Sequence, residues 1–368
     1  MATYREPEPI PGPEAFHERT RSGALSQSAF LLATGAAIGG YADTVPHSEQ
    51  FPLPDLAAMR RTRRMTRRQA LTHLDVAAAD LDEHPEMRIA TADVAPLATA
   101  VVDRSDAATA ASLIEASMRS PHEVVRMSAA VAALDTTGER EDILAMLEAG
   151  VASRDPLARD IARTGLGRIR PDHPRFETLK GRPVELTGQR RPSHTAVVTH
   201  GTFAARSTWW RPGGTFFGYL GGLAPPLHLH GTSFQWTGIY SDAARQAAAD
   251  LLATWLVDQN LAVPDLFAHS HGGTVANLAT IRGAELDRLV LLSWPVHGAW
   301  FPDFNRVRRI VDVRVRFDLV IMADRGGQSF DPPSGAVGKV ESYVRGWFEH
   351  ADTHDPGYWD KHGLPAVL

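Results

Sequence analysis

Cysteine is absent from the 368 residues, which removes disulfides, thiolate metal sites and cysteine nucleophiles together. Any nucleophile the chain carries is an oxygen or an amine. A large excess of one sign of charge is missing as well. The formal net charge of −5 and a pI near 6.3 give no global attraction to nucleic acid or an anionic membrane, and no nucleic-acid partner is expected. No apolar run reaches the roughly 20 residues that a membrane-spanning helix needs. The longest, Ala29 to Ala42, contains Gly35, Gly39 and Gly40 and reads as a buried or surface-docked helix. It is poorly placed as a signal-peptide core, because the Pro- and Glu-rich segment Glu6 to Glu14 stands where a short basic lead belongs. Thr66-Arg67-Arg68 lacks a following apolar core. The expectation is a cytoplasmic protein with no transmembrane segment.

What is present is a globular composition, 43% hydrophobic and 22% charged, in a chain longer than one core usually organises. Two domains are expected, in three stretches. Residues 1–55 read as an N-terminal extension, opening with four prolines between Glu6 and Pro13. Residues 56–180 read as a helical domain. It begins with a basic run from Leu56 to Ala70 (Arg60, Arg61, Arg63, Arg64, Arg67, Arg68), a solvated face whose expected partners are the acids of Asp80 to Glu86. From Val94 to Ile169, Ala, Leu, Val and Ile recur at helical spacing. Two similar units, Ser120-Pro121-His122-Glu123-Val124-Val125-Arg126 and Arg154-Asp155-Pro156-Leu157-Ala158-Arg159, have their prolines 35 residues apart, each where a first helical turn tolerates one. The pattern resembles HEAT-type helical repeats, which implies either a surface for a protein partner or a helical domain that packs on its neighbour.

The Pro-rich, basic stretch Arg170 to Pro192 reads as a linker. After it, residues 193–368 change character. Short apolar runs at Thr195–Thr199, Leu261–Ala268, Arg288–Trp294 and Val311–Phe317 alternate with helical stretches such as Asp242–Val257 and Thr274–Arg282. That alternation predicts an α/β fold with a mostly parallel sheet covered by helices.

Within it, Asp265-Leu266-Phe267-Ala268-His269-Ser270-His271-Gly272-Gly273-Thr274 reads as strand, sharp turn and helix, with Ser270 at the turn. A serine held there needs small residues two positions to either side, and Ala268 and Gly272 supply them, although glycine is usual at both places. The helix that follows aims its N-terminal amides, including the N–H of His271, at the place where negative charge develops during acyl transfer. Upstream, Ala196-Val197-Val198-Thr199-His200-Gly201-Thr202-Phe203 is an apolar strand ending in His-Gly.

Together these residues resemble the α/β-hydrolase superfamily from about Ser193 to Leu364. The resemblance implies a serine esterase or lipase with Ser270 as nucleophile and the N–H of Thr202 as second oxyanion donor beside His271. It implies an acid after a later strand, Asp318 in preference to Asp324. It implies a base after the last strand, with Val340 to Glu349 strand-like and His350 preferred to His354. His200 fits a loop organiser better than a base. His228 and His230, with His350 and His354, lack the Glu of His-Glu-x-x-His and read as pocket or loop histidines, so neither a metal nor another cofactor is expected. Trp209, Trp210, Phe216, Phe217, Tyr219, Phe234, Trp236 and Tyr240 wall an acyl pocket for a small-molecule or lipid-like substrate, or else fill the core. The segment Trp294 to Trp300 closes the same cleft or is a structural turn. The competing function is an inactive scaffold of this fold that binds a protein through its helical repeats.

Overall fold

The computed structural model describes residues 4–62, 94–182, 195–224 and 227–368. It divides into two compact units, one of Pro7–Leu166 with Met322–Gly326, the other of Met1–Glu6, Gly167–Ile321 and Gly327–Leu368.

The first unit is helical: α1 (Arg21–Gly39), α2 (Ala95–Arg104), α3 (Ala107–Ser117), α4 (Glu123–Thr137), α5 (Glu141–Gly150) and α6 (Pro156–Ile169). Thr20 caps α1 by accepting from the N–H of Gly23 at 3.1 Å, and Gly40, at φ 94°, ends it. Residues 1–55 were expected as an extension, but α1 is buried from Gly23 to Ile38. A helix with no charged residue over that length has no solvent face. It packs on α4 so closely that a Cβ at Gly35 would fall 2.6 Å from the Ala132 Cα. Arg325 belongs to this unit too, bonding the Asp135 carboxylate and, at 3.1 Å, the Leu32 carbonyl.

The two proline units are not equivalent. Pro156 opens α6, where Asp155 accepts from the N–H of Leu157 at 2.9 Å, whereas Pro121 stands two residues ahead of α4, whose His122 gives no side-chain cap. Arg60 pairs with Asp43 and Arg61 with Asp55, both at 3.6 Å. Arg63, Arg64, Arg67, Arg68, the Thr66-Arg67-Arg68 motif and Asp80 to Glu86 lie outside the described residues. Among the described residues no helix is long and apolar enough to cross a membrane.

The second unit is mixed α/β. Val- and Leu-rich runs too short for helices form β1 (Ala196–Thr199), β2 (Asp265–His269), β3 (Leu286–Leu292), β4 (Val307–Arg316) and β5 (Val340–Trp347), all parallel, in the order β1-β2-β3-β4-β5. Val198, Phe267, Val290 and Val311 stand side by side across it. Beyond β1, His228 and His230 exchange backbone bonds of 2.8 Å with Ala196, so these histidines belong to a short added bridge.

Neighbouring residues of a strand face opposite ways, and both faces are covered. Leu266 and Ala268 pack with Leu252, Trp255, Val275 and Ala279 from α8 (Asp242–Asp258) and α9 (His271–Ile281). Phe267 and Val311 pack with Phe216 of α7 (Thr215–Gly221) and Trp359 of α11 (Pro356–Lys361). Each such side chain contributes about 1.5–3 kcal/mol by leaving water. The short helix α10 (Leu319–Asp324) follows β4. The expected linker is partly built into this unit: Phe176 is buried against the Phe203 ring at 4.7 Å, and the N–H of Gly181 bonds Thr237 O at 2.9 Å. An aromatic in a linker would stay wet, and this one does not. Residues 183–192 of that stretch lie outside the described residues.

Candidate active site

The carboxyl ends of the parallel strands carry the residues singled out in the sequence. Ser270 lies between β2 and α9 with φ 53° and ψ −136°, a backbone conformation that L-residues avoid. It is held there by its N–H on Leu292 O of β3 and by its own carbonyl accepting from Gly273, both at 2.8 Å. The small flanking residues have a steric cause. Ala268 is fully buried, and a Cβ at Gly272 would lie 2.5 Å from the His200 carbonyl oxygen.

The loop after β1 approaches the same serine. A Cβ at Gly201 would fall 2.6 Å from the Ser270 Cβ and 3.2 Å from its Oγ. Thr202 follows directly, its hydroxyl buried without a hydrogen-bond partner among the described residues, and Phe203, at φ 61°, anchors the loop by donating to Gly238 O at 2.9 Å. His200 is fully buried. Its Nδ1 donates to Gly201 O at 2.8 Å and its Nε2 accepts from the Trp236 N–H at 3.4 Å, which fixes a neutral ring. Burial lowers its pKa to about 4, so it organises the loop.

Two further strand exits bring an acid to an imidazole. Asp318 follows β4, His350 follows β5, and the His350 Nδ1 is 2.8 Å from Asp318 Oδ2, both side chains buried. The other Asp318 oxygen accepts from the N–H groups of Val320 and Ile321, each at 3.1 Å, at the start of α10. Gln328 clamps the Asp318 backbone from both sides, accepting from its N–H at 3.0 Å and donating to its carbonyl at 2.9 Å. The Gln328 carbonyl in turn takes a 2.9 Å bond from Arg314, which is paired on both Asp312 oxygens in the sheet. No motif pointed to Gln328, because its side chain acts on the backbone atoms of Asp318, which carry no residue-specific signal.

His269, the residue before Ser270, packs on His350: its ring centroid lies 4.6 Å from that of His350, and its Nε2 is 3.3 Å from the His350 carbonyl oxygen. Burial first, then the neighbouring histidines, hold His269 well below the ordinary imidazole range. His354, the alternative base, is stacked on Trp209 at 4.0 Å, and burial lowers it to about 3. Asp324, the alternative acid, ends α10, whereas Asp318 occupies the strand exit and bonds His350.

The aromatic insertion divides. Trp210, Phe216, Phe234 and Trp236 are buried core, while Trp209 and Tyr240 are half-buried near the site, Tyr240 lying edge-on to His271 at 5.7 Å. From the Trp294–Trp300 segment, Trp294 is interior and donates to Thr274, whereas His297 and Trp300 lie against His271.

No model of a known protein family matches this chain, and no curated protein matches it. A solved structure described as a lipase-esterase related protein from Clostridium acetobutylicum ATCC 824 is similar over 50% of this chain and 97% of its own, at 10% identity and a TM-score of 0.31.

Proposed function

We propose that the protein is a serine hydrolase that cleaves an ester through an acyl-enzyme on Ser270, with an α/β-hydrolase fold in its mixed unit. The observation that carries this reading is the strained Ser270 at the β2–α9 turn, on the same strand edge as a buried Asp318–His350 pair bonded at 2.8 Å.

His350 takes the hydroxyl proton as the serine oxygen attacks the ester carbonyl, and Asp318 holds the imidazole in the tautomer that accepts at Nε2 and stabilises the imidazolium. The N–H groups of His271 and Thr202 receive the oxyanion. When the carbon–oxygen bond to the alcohol breaks, His350 returns the proton to the leaving oxygen. Water then attacks the acyl-enzyme, again giving its proton to His350, and the acid is released with Ser270 restored. Trp209 and Tyr240 flank the bound substrate.

Labelling with a fluorophosphonate tests the reading: the wild type is labelled, Ser270→Ala is not, and His350→Gln is labelled far more slowly. An unlabelled wild type that melts cooperatively would instead favour a binding scaffold with the helical unit as its partner surface.

A further inference from the structure

Arg245, in the first turn of α8, is a buried cation short of partners. Its side chain is 4% exposed, and Nη1 donates to Asp242 at 2.7 Å, an acid that is itself 66% exposed and solvated. Its Nε and Nη2 are buried and make no hydrogen bond. Arg159, Arg163, Arg211 and Arg288 each leave one buried nitrogen without a partner; among the described residues only Arg245 leaves two. A guanidinium removed from water at that level is costly unless its donors are met.

The surroundings connect it to the candidate nucleophile. The Arg245 guanidinium carbon lies 4.8 Å from the Tyr240 ring and 5.4 Å from the Trp300 ring. The same two rings stand 5.7 Å and 6.4 Å from the ring of His271, the residue after Ser270. Ser270 therefore has unlike neighbours on its two sides. His269 packs on His350, which must lie beside the leaving alcohol to protonate it, and His271 packs on the aromatic pair that holds Arg245.

Nε and Nη2 project from one edge of the planar guanidinium at the spacing of two carboxylate oxygens. We infer that Arg245 recognises a carboxylate on the acyl portion of the substrate, so that the ester cleaved is a half-ester of a dicarboxylic acid. The aromatic rings flank its hydrocarbon chain, and Trp300, half-buried in a short 3-10 turn, shifts to admit the carboxylate. This rests on the hydrolase reading and deepens it to a substrate class.

The test compares kcat/KM for mono-p-nitrophenyl glutarate with that for its neutral isostere, p-nitrophenyl 5-methylhexanoate, in the wild type, Arg245→Gln and Arg245→Lys. The wild type is expected to prefer the anionic ester about tenfold or more, the Gln variant to lose that preference through KM, and the Lys variant to keep part of it. A wild-type ratio near one, with fluorophosphonate labelling intact, overturns the inference and leaves the hydrolase standing. A ratio unchanged in the Gln variant overturns it as well. Failure of both esters together with absent labelling overturns both readings.

Discussion

Gly201→Ala adds one methyl group where the two loops of the site meet. Its carbon would lie 2.6 Å from the Ser270 Cβ, 2.9 Å from the His269 carbonyl oxygen and 3.2 Å from Ser270 Oγ. These are not the free ends of flexible chains: Ser270 is fixed by its bond to Leu292 O at 2.8 Å. Restoring an ordinary carbon contact of about 3.6 Å requires a displacement of about 1 Å. A shift of that size in a reacting group costs about 10²-fold in rate, or about 2.7 kcal/mol of transition-state stabilisation. The strain on the folded state is about 1–3 kcal/mol, several degrees of melting temperature. The assay is release of p-nitrophenolate in steady state, read beside a thermal melt, with Gly335→Ala as control because its added carbon meets nothing within 4 Å. A folded Gly201→Ala protein with the wild-type kcat would refute the placement of the β1 loop against Ser270.

Asp318→Asn removes the carboxylate bonded to His350 and is expected to lower kcat by about 10³–10⁴-fold with little change in KM; steady-state kinetics decide it. Gln328→Leu frees the Asp318 backbone and is expected to reduce kcat by about tenfold through misplacement, while a Gln328→Glu variant that keeps the accepting oxygen loses less. His354→Gln is expected to retain far more labelling by fluorophosphonate than His350→Gln, since His354 is a stacked neutral ring; equal losses would make His354 the base. Burial, reinforced by Glu349, Asp355 and Asp318 against the pull of the Tyr4 hydrogen bond, pushes Asp352 up to about 8. The folded protein thus holds that proton more tightly than the unfolded chain. The stabilisation is full below the ordinary carboxylate value of 3.8 and is lost as pH rises through about 8. Melting temperature should fall between about pH 4 and pH 8 and level off above that, and Asp352→Asn should flatten the slope; parallel slopes would count against it.

The central strands β1 to β3 were legible because buried parallel strands carry apolar runs, and the Ser270 turn because sterics demand Ala268 and Gly272 around it. Boundaries were less so. β4 begins at Val307, four residues before the apolar run suggested, because Arg308 and Arg309 stand together between buried Val307 and Ile310 and interrupt the apolar pattern. The Asp318–His350 contact needed chain order from a family resemblance, since the Gly-rich turn at Asp324 separates it from Asp318 only by a common capping habit and His350 and His354 follow the same strand. Gln328 and Arg245 were invisible for another reason: each matters through what the fold leaves around it, a backbone clamp in one case and missing partners in the other. A buried helix around Ala29 to Ala42 was legible from its apolar run, but its packing partner α4 was not, because α4 lies far along the chain.

The four strands β2 to β5 pass their chain onward through Ser270, Ser293, Phe317 and Phe348, all non-glycine residues with φ between 47° and 67°. Each such turn holds about 1 kcal/mol or more of conformational tension, so the edge proposed to perform turnover is also the least relaxed edge of the sheet. Thermal tolerance and activity are therefore set against each other within a few residues. Phe317 and Phe348 anchor buried rings, but Ser293 has only a buried hydroxyl without a partner. An engineer seeking a hardier protein would begin with Ser293→Gly, and would watch whether the neighbouring serine keeps its pace once that edge is allowed to slacken.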